Sequence, residues 1–353
     1  MTTTTASTTA TTTHDVLAVV SQSGPGVSFF DAATYAPLGT VDVLSQPHEL
    51  CYDPARRLLY ASVTYRSGYY HDNTGRAHEL MVIDPDERRV IDTVDLAPEC
   101  APHGMVLDPS GDLLWVSVEA YGHEEGALLA LDSASRKVVR RVPVGAPGPH
   151  WFVLTPDGRR AYTANKEAPY VSVVDLESGT VTDRIAVPGS EGIAMSGDGR
   201  QVYVAAPYGG SPGGPDGNAG VRVIDTATGA VVRTLPTEGV VFPVHVTVTG
   251  LVLAGELRTA TGSSGSGEQA PGLLHLYGPG GDELLGRIAV GAVPLTITSS
   301  PDARYGYVAA SVSSTVTVVD LVRREPVATL EVPKSGVPGA HGMAYVPAPS
   351  PVG

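Results

Sequence analysis

The fold is decided by the stretch Ala101 to Gly122, APHGMVLDPSGDLLWVSVEAYG. It reads as a strand, a tight turn and a second strand. The runs Met105-Val106-Leu107 and Leu113-Leu114-Trp115-Val116 are short, apolar and β-prone. Between them stands Asp108-Pro109-Ser110-Gly111-Asp112, where proline presets φ and glycine is free to take a positive φ. His103 lies where the chain enters the first of these strands.

The same unit recurs on both sides. It appears as QPHELCYDPARRLLYAS from Gln46, GPHWFVLTPDGRRAYTA from Gly148, GSEGIAMSGDGRQVYVA from Gly189, FPVHVTVTGLVLAG from Phe242, VPLTITSSPDARYGYVA from Val293 and GAHGMAYVP from Gly339. The residue at the position of His103 is, in chain order, His48, His103, His150, Glu191, His245, Leu295 and His341, at intervals of 55, 47, 41, 54, 50 and 46. A proline follows six residues later in five of the seven units, and this fixes their alignment. Blade-like units continue with a second hairpin, such as Val171-Ser172-Val173-Val174-Asp175 or Val316-Thr317-Val318-Val319-Asp320. Four short strands per repeat make a propeller blade. The last unit stops after one strand, so its other three come from the N-terminal segments Asp15 to Val20, Gly26 to Asp31 and Leu38 to Val43. The expected fold is therefore all-β, a seven-bladed β-propeller closed by both termini. Residues 1–13 read as a disordered Thr-rich tail, 14–347 as one propeller domain and 348–353 as a C-terminal tail.

The repeat pattern P-x-x-x-x-x-PDGR-x-x-Y-V-A … V-x-V-I-D-x-x-T-x-x-V closely resembles YVTN-type β-propeller repeats, also seen in lactonase-like propellers. The resemblance covers nearly all of the chain past Thr13 and implies the fold. It implies no single activity, because one scaffold hosts many functions.

Composition narrows the partners. A net charge of −14 argues against nucleic acid and anionic membrane, which both require basic surface. The expected partner is a small-molecule substrate. No apolar run approaches the roughly 18 residues of a membrane span. The start, Met1 to Thr13, lacks the basic and apolar segments of a signal peptide. Two cysteines, Cys51 and Cys100, are too few for a disulfide framework, and the expected setting is cytoplasmic.

The first strand of each blade lines the axial channel, so the seven marker residues form a ring at one mouth. Histidine occurs ten times in the chain, and five of those occurrences fall on these seven positions. Converging imidazoles with a carboxylate are best satisfied by a metal cation. The expected ligands are His48, His103, His150, Glu191, His245 and His341. The donor set favours a transition metal, Fe or Cu first, with Zn, Ni or Co as alternatives. Leu295 would leave an open apolar sector for substrate.

A second ring is formed where the second strands end. Glu119, Lys166 and Glu256 fall there as candidate catalytic acid, base or anchor. Tyr65, Tyr121, Tyr208 and Trp151 lie near in sequence and would line a pocket. Three insertions, Tyr65 to His78, Tyr208 to Gly220 and Leu257 to Gly272, would cover the same mouth, the first carrying Tyr70, His71 and His78. The expected function is a metal-dependent enzyme acting on a small organic molecule, with redox chemistry preferred. A histidine-rich axial site resembles those of carotenoid-cleaving oxygenases and the nitrous oxide reductase propeller. A metal-assisted lyase, hydrolase or cyclase is the alternative, by resemblance to virginiamycin-inactivating lyases. A non-catalytic metal-binding or interaction propeller is the third.

Overall fold

Each repeat folds as an antiparallel meander of four strands, and among the described residues there are seven such sheets and one two-stranded hairpin, Gly68–Tyr69 with Asp72–Asn73. A computed structural model describes residues 14–24, 26–69, 72–207, 219–259 and 268–349. The Thr-rich tail, Tyr70, His71 and Tyr208 lie outside the described residues.

We number the blades by their innermost strands. These are Gln46–Asp53, Met105–Leu107, Pro149–Leu154, Ile193–Met195, Val240–Val246, Pro294–Ser299 and Ala340–Val346. Blade seven is completed by Val16–Ser21, Gly26–Asp31 and Pro37–Asp42, with Val16–Ser21 pairing antiparallel to Ala340–Val346. The ring is thus closed by both ends of the chain.

Burial explains the strand composition. The second and third strands are packed on both faces, so Leu58–Tyr65 is buried throughout and is mainly apolar, with only Ser62 and Thr64 interrupting. The outermost strands are mostly exposed, as in Glu325–Glu331, where only Leu330 is buried. Seven apolar clusters result, each shared by two neighbouring blades. Val27 and Phe29 of blade seven meet Leu59 and Met81 of blade one, and Leu253 and Leu274 of blade five meet Val308 and Val319 of blade six. Each fully buried Val, Leu or Phe contributes roughly 1.5–3 kcal/mol.

The recurring aspartate at the end of the third strand is also explained. Asp84, Asp132, Asp175, Asp225 and Asp320 each accept a backbone N–H from the turn that follows, for example Ser178 to Asp175 at 2.6 Å. Such a side chain replaces a backbone acceptor and holds the turn to the fourth strand.

Candidate metal centre

The site is built by an irregularity repeated in the inner strands. In blades one, three and five the pairing of first and second strands shifts register, between Pro47 and Leu50, Pro149 and Phe152, and Val241 and Val244. A bulge of this kind re-aims a side chain. His48 and His150 sit in the first two. The residue after the marker is often glycine, and it lets the next blade approach. A Cβ on Gly104 would lie 2.9 Å from the His150 carbonyl oxygen, and one on Gly342 would lie 2.5 Å from that of His48.

The same contact identifies the marker of blade five. Gly192 N–H donates to the carbonyl of Phe242 at 2.9 Å, and a Cβ there would meet that oxygen at 2.3 Å. Phe242, not His245, therefore occupies the position that His48 and His150 hold. His245 lies three residues further along, opposite Leu253, with its Nε2 bonded to Ser299 Oγ at 2.9 Å. The ring order is corrected to His48, His103, His150, Glu191, Phe242, Leu295 and His341. It divides into a polar arc on blades seven, one, two, three and four and an apolar sector on blades five and six.

The arc is tight. Ring centroids are 4.3 Å apart for His341 and His48, 4.4 Å for His48 and His103, and 3.6 Å for His103 and His150. A carboxylate stands at each end. Glu191 Oε2 is 3.1 Å from His150 Nδ1, and Glu49 Oε1 is 3.1 Å from His341 Nδ1. All six residues are buried. Two overlapping trios, His48–His103–His150 and His48–Glu49–His341, each bring their ligand atoms within 4.8 Å of one another and could hold a metal ion. Glu49 escapes a reading keyed to one marker per blade, since it follows that marker where other blades have Gly104, Gly192 and Gly342. Its position beside His48 is the one sequence signal.

The chemistry of the cluster fits a cation. Both ring nitrogens of His103 and Nδ1 of His48 are buried without a hydrogen-bond partner, which is costly for polar atoms. Burial, with the fields of neighbouring imidazoles and Lys166, pushes His48, His103 and His150 well below the usual imidazole range. The neutral form that binds metals is therefore the resting form. Burial raises the Glu191 carboxyl to about 7, with Lys166 acting the other way. A carboxylate next to Nδ1 orients a ligating imidazole and raises its basicity.

Glu119 and Lys166 come together beside the arc. Lys166 Nζ is 2.8 Å from Glu119 Oε1, Tyr65 Oη donates to the same oxygen at 2.6 Å, and Arg76 Nε is 3.1 Å from Oε2. The Tyr65 ring stands edge-on to His48, with centroids 6.5 Å apart. Glu119 is thus fully engaged, a holder of Lys166 and Tyr65 rather than a free base. Glu256 is not at the channel mouth. It pairs with His275, 2.8 Å away within blade five, because the corrected register moves it one residue off the second ring. His275 is fully buried in the third strand and carries no sequence signal of that pairing.

Trp151 packs against the arc, its ring 4.4 Å from His150 and 5.2 Å from His103, and stacks at 6.4 Å on His341. Leu295 lines the channel beside it. His78 bonds through Nδ1 to the Glu99 carbonyl, and the Tyr121 backbone pairs with Glu124; neither contacts the arc. Cys51 and Cys100 are both free thiols. No helix among the described residues is long and apolar enough to cross a membrane.

Fold and site together define a seven-bladed β-propeller with a buried histidine cluster on its axis. No protein-family model matches the chain. Over 196 residues, 54% of its length, it is 26% identical to the uncharacterized protein YncE of Salmonella typhimurium, and equally to that of Salmonella typhi, covering 48% of each. The chain spans about half the length of the curated relatives it matches. Among solved structures, a functionally unknown protein from Desulfotomaculum acetoxidans superposes with a TM-score of 0.71 at 10% identity, over 95% of this chain and all of that one. Kuenenia stuttgartiensis hydrazine synthase gives 0.65 at 21% identity, over 90% and 97% of the two chains. The dihydro-heme d1 dehydrogenase NirN gives 0.59 at 15%, over 95% and 67%. At these identities the likeness is one of fold.

Proposed function

We propose that the protein is a metal-dependent enzyme acting on a small organic molecule in the axial channel, with iron or copper held by the histidine arc and redox chemistry as its mode. The observation that carries this reading is the set of four buried imidazoles, His341, His48, His103 and His150, in mutual contact between two carboxylates. Nitrogen-rich coordination suits iron and copper and disfavours magnesium and calcium. When bound, such a metal would supply redox or Lewis-acid chemistry at the arc.

The chain's own residues have distinct tasks. Glu49 and Glu191 orient His341 and His150. Glu119 anchors Lys166 and Tyr65 at the rim of the arc, so that a cationic side chain stands within electrostatic reach of the histidines. Trp151 closes one side of the arc. Phe242 and Leu295 leave the opposite sector free of ligands, the side from which a substrate would approach. The negative net charge fits a small-molecule substrate rather than nucleic acid or membrane. The YVTN-type character of the repeats and a cytoplasmic setting belong to the same reading.

The test is elemental analysis by inductively coupled plasma mass spectrometry on protein purified without added metal. About one equivalent of iron or copper is expected, on the general stoichiometry of one ion per ligand cluster. Zinc, nickel or cobalt would turn the reading to a lyase or hydrolase. Protein that carries no metal and takes none up on reconstitution would overturn it.

A further inference from the structure

The channel contains a second environment. Between the inner strands of blades three to six lies a cavity of about 310 Å³. Trp151, Ile193, Met195, Val244, Leu295 and Ile297 supply apolar side chains to its wall. Among the described residues no Asp, Glu, Lys or Arg lines it, and the polar side chains on it are His245 and Thr296. Trp151 joins the two environments, since the ring that lines this cavity also packs on His150 and His103. Leu295 joins them too, as the ring residue of blade six.

We propose that this cavity binds a neutral, planar and mainly apolar molecule, an aromatic ring system bearing one hydroxyl or carbonyl group. The proposal rests on the reading above only for its meaning as the substrate side of a metal centre; binding itself requires no metal. Three features select the class. A carboxylate, phosphate or ammonium group in the cavity would be desolvated with no opposite charge to meet it. The flat face of Trp151 favours another ring by stacking or edge contact. His245, held by Ser299 Oγ at 2.9 Å, and Thr296 are the uncharged polar side chains the wall offers. The volume lies at the small end of the range of ligand pockets, which suits one or two fused rings.

The test uses isothermal titration calorimetry of the purified full chain with 1-naphthol and with 1-naphthoate, which share a ring system and differ in charge. The expected result is binding of 1-naphthol with 1-naphthoate at least about tenfold weaker. Leu295→Phe should fill the cavity and weaken 1-naphthol at least about tenfold. Leu295→Lys adds a cation at a partly exposed channel position and should narrow or reverse the preference between the two probes. Circular dichroism and melting curves confirm that both variants fold. The proposal is overturned if 1-naphthol does not bind, if 1-naphthoate binds the native protein equally well, or if neither folded variant changes either affinity. Metal content measured on the same samples keeps the two readings apart. Binding of 1-naphthol by a metal-free protein leaves the cavity assigned and removes the metal centre. Full metal with no 1-naphthol binding does the reverse.

Discussion

Blades one and three and blades five and six interrupt the pairing of their inner strands, to opposite ends. In the first pair the bulge delivers His48 and His150 to a cluster that His103, just ahead of the regularly paired strand Met105–Leu107, completes. In the second the equivalent position holds Phe242 and Leu295, and the strand below is lined with Val244 and Ile297. The backbone device is shared, so the chemistry of each sector is set by one side chain per blade. A propeller can therefore place a polar arc and an apolar wall on one axis, because the apolar clusters are shared between blades and reach the channel in blades four to six through Ile193, Val244 and Ile297.

The largest effect expected from breaking this division is in metal content. Replacing His103 and His150 together by alanine removes two members of one trio and should reduce bound metal from about one equivalent to a trace, since each imidazole is one of about four ligands. The far-ultraviolet circular dichroism should remain that of a folded β protein, because neither side chain belongs to an apolar cluster. Full metal retention would refute the arc as the centre.

Next in size is Glu119→Gln. Glu119 and Lys166 are both nearly inaccessible, with side-chain exposures of 8% and 7%. Removing the carboxylate takes from the buried ammonium its charged partner at 2.8 Å, leaving a neutral amide there beside the Tyr65 hydroxyl, which typically costs about 3 kcal/mol. Chemical denaturation should show that loss. Lys166 already depresses protonation of His48, His103 and His150. Without Glu119 its field would also disfavour a bound cation, so metal affinity should fall in the same variant. Unchanged stability would mean that the ion cluster contributes little.

Much of this was legible in the sequence, and the rest failed for identifiable reasons. The PDGR-type turns and the proline six residues after five of the seven markers align the repeats, because turn geometry demands particular residues at fixed offsets. The terminal closure follows from a last repeat with one strand. Blade five resisted because its first turn is shortened to Thr247 through Gly250 and its third strand ends in Tyr277 rather than aspartate. With both landmarks missing, the histidine nearest the expected spacing was His245, three residues from the correct position. Glu49 and the engagement of Glu119 by Arg76 depend on packing between blades, which no local pattern records.

The pH response separates the two sectors less sharply. Burial lowers the folded-state affinity of His48, His103 and His150 for protons, and lowers His245 to about 4. The unfolded chain then binds more protons than the folded one below the ordinary imidazole value of about 6.5, so stability falls as pH drops through that window. Glu191 opposes this, because its carboxyl titrates near 7 when folded and takes up a proton on folding between its ordinary value and 7. Several imidazoles outweigh one carboxyl. The melting temperature of metal-free protein should therefore decline steadily from pH 6.5 towards pH 4, and the decline should be shallower in the His103→Ala, His150→Ala variant. A flat profile would mean that these imidazoles titrate as if in water.

The smallest effect bears most directly on which residue occupies the fifth blade's ring position. His245→Ala removes one partly accessible hydrogen bond to Ser299, and should cost about 1 kcal/mol with no change in metal content. Phe242→His does the opposite. It places an imidazole at the ring position next to Glu191, extending the arc by one blade, and should slow the release of metal to a chelator. If spacing along the chain rather than contact between blades defined the ring, the outcomes would be exchanged: His245→Ala would lose metal and Phe242→His would leave chelation kinetics unchanged. The pair of variants thus decides whether the channel is divided into an arc and a wall, as the Gly192–Phe242 contact requires, or is encircled by histidine on both sides.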